Sequence, residues 1–352
     1  MNKTFQKIIG AGLALTAVFS LAACGKKSEP TASDNASGKV YKVGIVQFVD
    51  DASLNQIEEN IEKELDAKGA ELGVTFDYAD YTYNGQADST TLNQIGAELV
   101  SKGVDIIIPI ATPAAQVMQA VTEDTDIPIV FSAVSDPVSA KLVDSMDAPG
   151  GKITGTSDSL NTKAVLDLML AANPDTDYVG LLYSKSEDSS KQPIADAIAY
   201  LESKNIKYIE KTGTTTDEVS SAADALIAEG VDAVFTPTDN TVMKAQLAIY
   251  EKFLDAKIPQ FCGADSFALN GAFVGYGVDY ANLGRATADM VVQILVEGAD
   301  PATTAVQTFD NGIATINTES CTALGYDLSA IKTALDGLCT QIVETVTAQE
   351  FE

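Results

Sequence analysis

From Lys39 onward the chain alternates between two hydrophobic periods. Short apolar runs read as strands, and segments with apolar residues at i, i+3 and i+4 read as amphipathic helices. Val40 to Phe48 (VYKVGIVQF) predicts the first strand. Ser53, with Gln56 three residues on, has capping-box spacing and predicts a helix start. Leu54, Ile57, Ile61 and Leu65 share its apolar face, and Gly69 is the expected stop. A strand at Val74–Ala79 and a helix burying Leu92, Ile95 and Leu99 follow. Val104–Ile110 is so apolar that both of its faces must be covered. Thr112-Pro113 and Asp136-Pro137 each join a capping residue to a first-turn proline, so each predicts a helix start. The second follows a short strand, Ile127–Phe131.

After Pro149-Gly150-Gly151 the alternation restarts. Strands are expected at Lys152–Gly155, Tyr178–Tyr183, Lys207–Glu210, Ala233–Thr236, Gln260–Cys262 and Ala272–Tyr276. Between them fall helices at Asn161–Ala172, Pro193–Ser203, Asp217–Glu229, Asn240–Leu254 and Asn282–Val296. Past Pro301 the pattern weakens to a strand at Ile313–Ile316 and one or two helices within Leu328 to Val346.

The chain also repeats itself. Gly103-Val104-Asp105 followed by IIIPIATP matches Gly230-Val231-Asp232 followed by AVFTPTDN, which sets Thr112 opposite Asp239. Further on, Ile127-Pro128 followed by IVFS resembles Ile258-Pro259 followed by QFCG. Strand–turn–helix units of one design therefore recur in each half. Two doubly wound, Rossmann-like α/β lobes imply a cleft lined by the loops at the strand C-terminal ends.

Composition narrows what the cleft could hold. The 352 residues carry a formal net charge of −28, which argues against a nucleic-acid partner. With no His in the chain, histidine bases and His-ligated metals are excluded. No Trp is available for stacking, and Arg285 alone cannot build a multi-guanidinium anion clamp. No phosphate-cradling glycine motif or GxSxG elbow is present, so neither a cofactor nor an enzyme activity is expected.

Lys3 and Lys7 precede an apolar, small-residue run from Ile8 to Ala23 that ends Leu21-Ala22-Ala23-Cys24. This resembles a bacterial lipoprotein signal over residues 1–23, with Cys24 as the lipidated (palmitate-type) first mature residue. Residues 24–38 then form a flexible tether outside the cytoplasmic membrane. Cys262, Cys321 and Cys339 lack CxxC spacing, so a metal or redox site is not expected. Cys321 and Cys339 could pair in an exported protein.

The loops facing the cleft are rich in hydroxyls, carboxylates and small residues. The candidate ligand contacts are Gln47, Phe48, Ala111, Thr112, Ser132, Ala133, Val134, Ser157, Asp158, Ser184, Thr238, Asp239, Asn240, Asp265 and Tyr276. Hydroxyls and backbone N–H groups at helix N-termini suit a ligand carboxylate. A ligand ammonium needs a fixed carboxylate, for which Asp158 and Asp265 are the better candidates; Asp136 and Asp239 read as helix caps. Ala264-Asp265-Ser266 is expected opposite Ser132–Asp136. Phe48, Tyr83, Tyr183, Phe235 and Tyr276 could form an aromatic wall, although each also reads as core.

At these residues a family likeness becomes specific. ATPAAQ (Ala111–Gln116), FSAVSDPVSAKLV (Phe131–Val143), ITGTSD (Ile153–Asp158), PTDNT (Pro237–Thr241) and GVDYANLGR (Gly277–Arg285) occur in order. Together they resemble the substrate-binding lipoproteins of ABC importers related to the tryptophan-binding lipoprotein. The resemblance implies a type I periplasmic-binding-protein fold with three chain crossings, near Ile153–Thr156, Gly277–Asn282 and Gly312–Asn317. Lobe 1 would then be 39–154 plus 281–314, and lobe 2 155–280 plus 315–352. It further implies a monomer that captures a small amino acid, aromatic in characterised relatives, and delivers it to a permease driven by a separate ATPase. A sugar or nucleoside receptor of the same fold, a surface adhesin and an extracellular hydrolase are the competing readings.

Overall fold

The apolar runs assemble into two sheets, each flanked by helices. In the computed structural model residues 38–309 and 312–348 are described, all within one compact unit, Ala36–Glu352. The expected signal segment, Cys24 and most of the tether lie outside the described residues.

In chain order the strands begin β1 (Val40–Gln47), β2 (Thr75–Asp77), β3 (Thr82–Asn84), β4 (Ile106–Ile110), β5 (Ile129–Phe131), β6 (Ile153–Ser157) and β7 (Tyr178–Tyr183). They continue with β8 (Lys207–Thr212), β9 (Ala233–Thr236), β10 (Gln260–Cys262), β11 (Val274–Gly277), β12 (Gln307–Thr308), β13 (Ile313–Asn317) and β14 (Gln341–Thr345). The first sheet has the order β12-β6-β5-β4-β1-β2, with β3 also on β1, and all its pairings are parallel. The second runs β14-β13-β11-β10-β9-β7-β8 and is parallel except for β11 against β13. Every residue of β4 is buried, as its unbroken apolar run requires.

Helices α1 (Ala52–Leu72), α2 (Ser89–Lys102) and α3 (Thr112–Val121) lie in the first half. They are followed by α4 (Thr162–Ala172), α5 (Lys191–Lys204), α6 (Thr216–Glu229), α7 (Asn240–Asp255) and the single turn α8 (Asp265–Leu269). The chain closes with α9 (Tyr280–Leu295), α10 (Thr318–Leu324) and α11 (Leu328–Leu335).

The chain passes between the sheets after β6, between β11 and α9, and between β12 and β13. Gly155 to Ser157 thus pair in the first sheet, and Ile313 and Ala314 in the second. Helix α9 follows a strand of the second sheet yet packs on α1 of the first lobe. Gly284 permits that approach, since a Cβ there would lie 2.6 Å from the Ile57 carbonyl oxygen. Arg285, the single arginine, donates to Asn60 Oδ1 across the same contact at 3.2 Å.

Four local expectations change. Helix α1 starts at Asp51 rather than Ser53, because the Asp51 carboxylate accepts from the N–H groups of Ser53 (3.0 Å) and Leu54 (3.2 Å). It runs past Gly69 to Gly73, whose φ of 69° supplies the left-handed stop. Asp136-Pro137 opens only one turn, closed by Ala140 N–H on Asp136 O, and Lys141 at φ 60° ends it. Residues 341–345 form a strand on β13 rather than the end of a helix, because the β-branched Ile342, Val343 and Thr345 suit a half-buried strand at the sheet edge. Short elements β3, α8, α10 and β12 had no usable periodicity. Cys262, Cys321 and Cys339 are free thiols.

Candidate functional site

The strand C-terminal ends of both sheets converge on a partly open space between the lobes. About 430 Å³ lies between the atoms that line it, solvent-open space included. The first lobe contributes Asp51, Ser53 and Leu54 after β1, Ala111 and Thr112 after β4, and Ala133 and Ser135 after β5. Asp158 and Tyr280 sit at the crossings. From the second lobe come Ser189, Thr238, Asp239, Asn240, Met243, Ala264, Ser266 and Phe267.

Seven of the expected contacts meet at this cavity: Ala111, Thr112, Ala133, Asp158, Thr238, Asp239 and Asn240. Others are engaged elsewhere. The Gln47 amide donates to Val49 O and Asn55 Oδ1, and Phe48 and Val134 are buried in the core. Ser132 turns inward to the Thr287 hydroxyl on α9 (2.8 Å), and Ser157 donates to Ser135 O. Ser184 gives its N–H to Asp239 Oδ2 and bonds Ser186 through its hydroxyl. Tyr276 is core, as are Tyr183 and Phe235, while Tyr83 packs half-buried against it. The apolar wall comes instead from Leu54, Met243, Phe267 and Tyr280.

The two halves of the repeat treat their helix N-termini differently. At α7, Asp239 accepts from Val242 N–H (2.9 Å), Ser184 N–H (2.7 Å) and Ser190 Oγ (2.6 Å). The Glu187 carboxylate takes the N–H groups of Asn240 and Thr241. Two anions thus saturate that terminus. At α3 the N-cap is Ala111, one residue before the Thr112 that the repeat sets opposite Asp239, and no side chain caps the helix. Thr112, expected as the cap, is instead the first residue of the helix. Its hydroxyl is buried with no hydrogen-bond partner. Ala111 (φ 80°) and Ala133 (φ 53°), both on the cavity wall, hold left-handed backbone that non-glycine residues seldom adopt. The first lobe therefore offers an open helix N-terminus where an anion can be received.

The opposite charge is provided by carboxylates. Asp51 uses Oδ1 to cap α1, while its Oδ2 is buried and makes no hydrogen bond of normal geometry, although the Ser266 side chain lies close enough to offset part of the cost of burying the carboxylate. Asp158 accepts from the Ser135 hydroxyl at 2.9 Å. Asp265 does not line the cavity; it accepts from Ser53 Oγ across the lobes at 2.5 Å. None of the described residues lining the cavity is Lys or Arg. Burial accordingly pushes these carboxyls upward: Asp158 to about 6, Asp265 to about 7 with the Asp51 charge adding, and Asp51 above its ordinary value. Asp239 is raised by burial and by the charge of Glu187. The Tyr280 phenol is raised by burial and then by Asp158, Asp265 and Asp51, which places it within the field of all three.

Asp51, Ser53, Ser135, Ser266 and Tyr280 are not among the expected contacts, though Ser135 and Ser266 belong to loops expected to line the cleft. A sequence signal existed for Asp51, since Asp caps as well as Ser and lies where the apolar run of β1 ends. Tyr280 sits inside the GVDYANLGR motif, where its position next to the Asp279 helix cap makes it read as the first residue of a helix.

Further bonds join the lobes: Ser135 Oγ to Thr238 Oγ1 (3.3 Å), Gln116 Nε2 to Asp188 Oδ2 (2.7 Å) and Ser266 N–H to Ser53 Oγ (3.3 Å). They describe lobes drawn together over the cavity.

Comparison with known proteins agrees with this architecture. Residues 42–330 match the family of ABC transporter substrate binding proteins. A tyrosine-binding protein of Clostridioides difficile (strain R20291) is 31% identical over 329 residues, 92% of each chain. An ABC domain from Streptococcus pneumonia solved in complex with L-Trp is 31% identical. The match covers 87% of this chain and 100% of that one, with a TM-score of 0.77. The ligand-free, open structure of a Clostridium difficile substrate binding protein with adhesive properties is 30% identical. It covers 88% and 100% of the two chains, at a TM-score of 0.65. Fold, cleft and sequence match agree, and the chain belongs to the ABC transporter substrate binding proteins.

Proposed function

We propose that this protein is the extracytoplasmic receptor of an ABC importer and that it captures an α-amino acid with an aromatic side chain. The observation that carries the reading is a pair of buried, unbonded polar atoms on the cavity wall, Asp51 Oδ2 and Thr112 Oγ1. A buried acceptor or donor left unmade costs about 1–3 kcal/mol, so a ligand that completes both is strongly favoured. An ammonium at Asp51 and Asp158 and a carboxylate at Thr112 and the open N-terminus of α3 would do so. The side chain then lies against Leu54, Phe267 and Tyr280. Relatives that bind tyrosine or are solved with L-Trp support the aromatic class. Binding would close the lobes about the three crossings, and the closed form would pass its cargo to a permease energised by a separate ATPase. No catalytic step is assigned.

Thermal-shift measurements with L-Tyr, L-Trp and L-Phe against sugars and nucleosides test this directly. A ligand at about 100 times its Kd should stabilise the fold by about 2.7 kcal/mol. If only sugars or nucleosides shift the melting temperature, the amino-acid reading fails.

The anchor is a separate proposal resting on the Leu21-Ala22-Ala23-Cys24 sequence. Cells fed a labelled fatty acid should label the wild-type protein, and Cys24→Ser should remove the label and release the protein to the medium. Equal labelling of both would refute it.

A further inference from the structure

Two spaces flank the ligand cavity, and each shares only a small part of its wall. One has Ser135 in common with the cavity. There the barrier is fixed: Ser135 is held by Asp158 and Thr238, and its carbonyl accepts from Ser157. That space is also bordered by Ser159, Leu160 and Thr308, which adjoin the chain crossings, where lobe rotation moves atoms least.

The other space, partly open to solvent, shares Asp51 and Met243 with the cavity and reaches outward past Asn55, Lys244 and the half-exposed Leu247. Asp51 is fixed by its cap on α1. Met243 is an unbranched, uncharged side chain on α7, 9% exposed, that stands between the two spaces. Its sulfur accepts from Asn270 Nδ2 at 3.5 Å and Ser266 Oγ at 3.7 Å, which hold the thioether across the gap. Side chains of this kind fill irregular openings and change rotamer readily.

We propose that Met243 is the gate residue of this receptor. On this inference, which rests on the proposed ligand site, Met243 closes the outer end of the cavity after the lobes meet and sets how slowly the ligand leaves. Ser266 and Asn270 act as positioning residues that keep the gate shut. Substitution by a shorter side chain joins the cavity to the outer space without removing any charge.

Because the protein contains no Trp, L-tryptophan fluorescence reports bound ligand directly. Release from the full-length protein can be followed by stopped-flow displacement with excess L-tyrosine. Met243→Ala is expected to speed release at least about tenfold while changing association little. Met243→Leu, which nearly conserves volume, should stay within about threefold of wild type. Leu247→Ala, which lines only the outer space, should release at the wild-type rate. Wild-type binding with unchanged release from a folded Met243→Ala overturns the gate. A companion measurement follows, by mass spectrometry, the small molecules that co-purify with each variant through repeated dialysis. A molecule other than an aromatic amino acid, retained by wild type and lost by Met243→Ala, supports the gate and overturns the aromatic reading. A wild-type protein that retains nothing and binds neither amino acid overturns both.

Discussion

Asp51→Asn should lose most of the affinity for amino acids while the empty protein becomes more stable. The two effects have one origin. Asp51 Oδ2 is a buried acceptor that makes no hydrogen bond of normal geometry, and burial has pushed its carboxyl upward. In the empty protein an ionised carboxylate there is a cost, and Asn removes the charge while still capping a helix about as well as Asp. In the complex the same carboxylate is the counter-ion to the ligand ammonium. Breaking a desolvated charge pair costs roughly 2–5 kcal/mol, or about 30-fold to several thousandfold in Kd. Calorimetric titration gives the affinity, and melting of the unliganded variant gives the stability. Opposite signs in the two measurements separate loss of a contact from loss of the fold. Asp158→Asn should weaken binding less, because Ser135 already shares its carboxylate. Asp265→Asn should act on closure, since its partner is Ser53 of the other lobe rather than the cavity. If Asp51→Asn binds normally and Asp158→Asn does not, the ammonium belongs at Asp158.

Much of this fold could be read from periodicity because its strands are short buried runs between well-capped helices. Tyr178–Tyr183, Ala233–Thr236 and Gln260–Cys262 fall where the apolar runs put them. The repeat brought Thr112 and Asp239 to one cavity. Periodicity says nothing, however, about which way a loop side chain turns. Ser132 and Ala133 are adjacent and both small; one bonds Thr287 behind the sheet, and the other, in left-handed backbone, faces the cavity. The internal asymmetry of the repeat was equally hidden. Whether α7 is closed to a ligand depends on Glu187, far from Asp239 along the chain and brought to Asn240 and Thr241 only by folding. Aromatic residues misled for a related reason. Phe48 and Tyr276 sit at strand ends as a cleft wall would require, yet the strand pleat turns them into the core.

Raising the pH from 5 to 8 should destabilise the empty protein and tighten its hold on an amino acid. Asp158 and Asp265 titrate near 6 and 7 in the folded protein, against an ordinary carboxyl value near 4 when unfolded. Between those values the native state binds more protons than the unfolded chain, so stability is present at low pH and lost as pH rises through the folded values. From pH 5 to 8 the loss is roughly 1–3 kcal/mol for each group. Ligand binding runs the other way. The bound ammonium favours the ionised forms of Asp158 and Asp51, which line the cavity, so protons are released on binding and affinity climbs, by up to about tenfold per pH unit for each proton released. Melting curves with and without L-tyrosine across this range should therefore converge at acid pH and separate at alkaline pH. Asp158→Asn should flatten the lower part of the slope and Asp265→Asn the upper part. General self-repulsion in a chain of net charge −28 also weakens stability as pH rises, but it is screened by salt and survives both substitutions. A slope that persists undiminished in both variants would therefore come from other groups, Asp239 and Asp51 on the cavity wall or the surface, and not from Asp158 or Asp265. A sugar carries no ammonium to pair with these carboxylates and would leave the two curves parallel, so the same experiment separates the two ligand classes by charge.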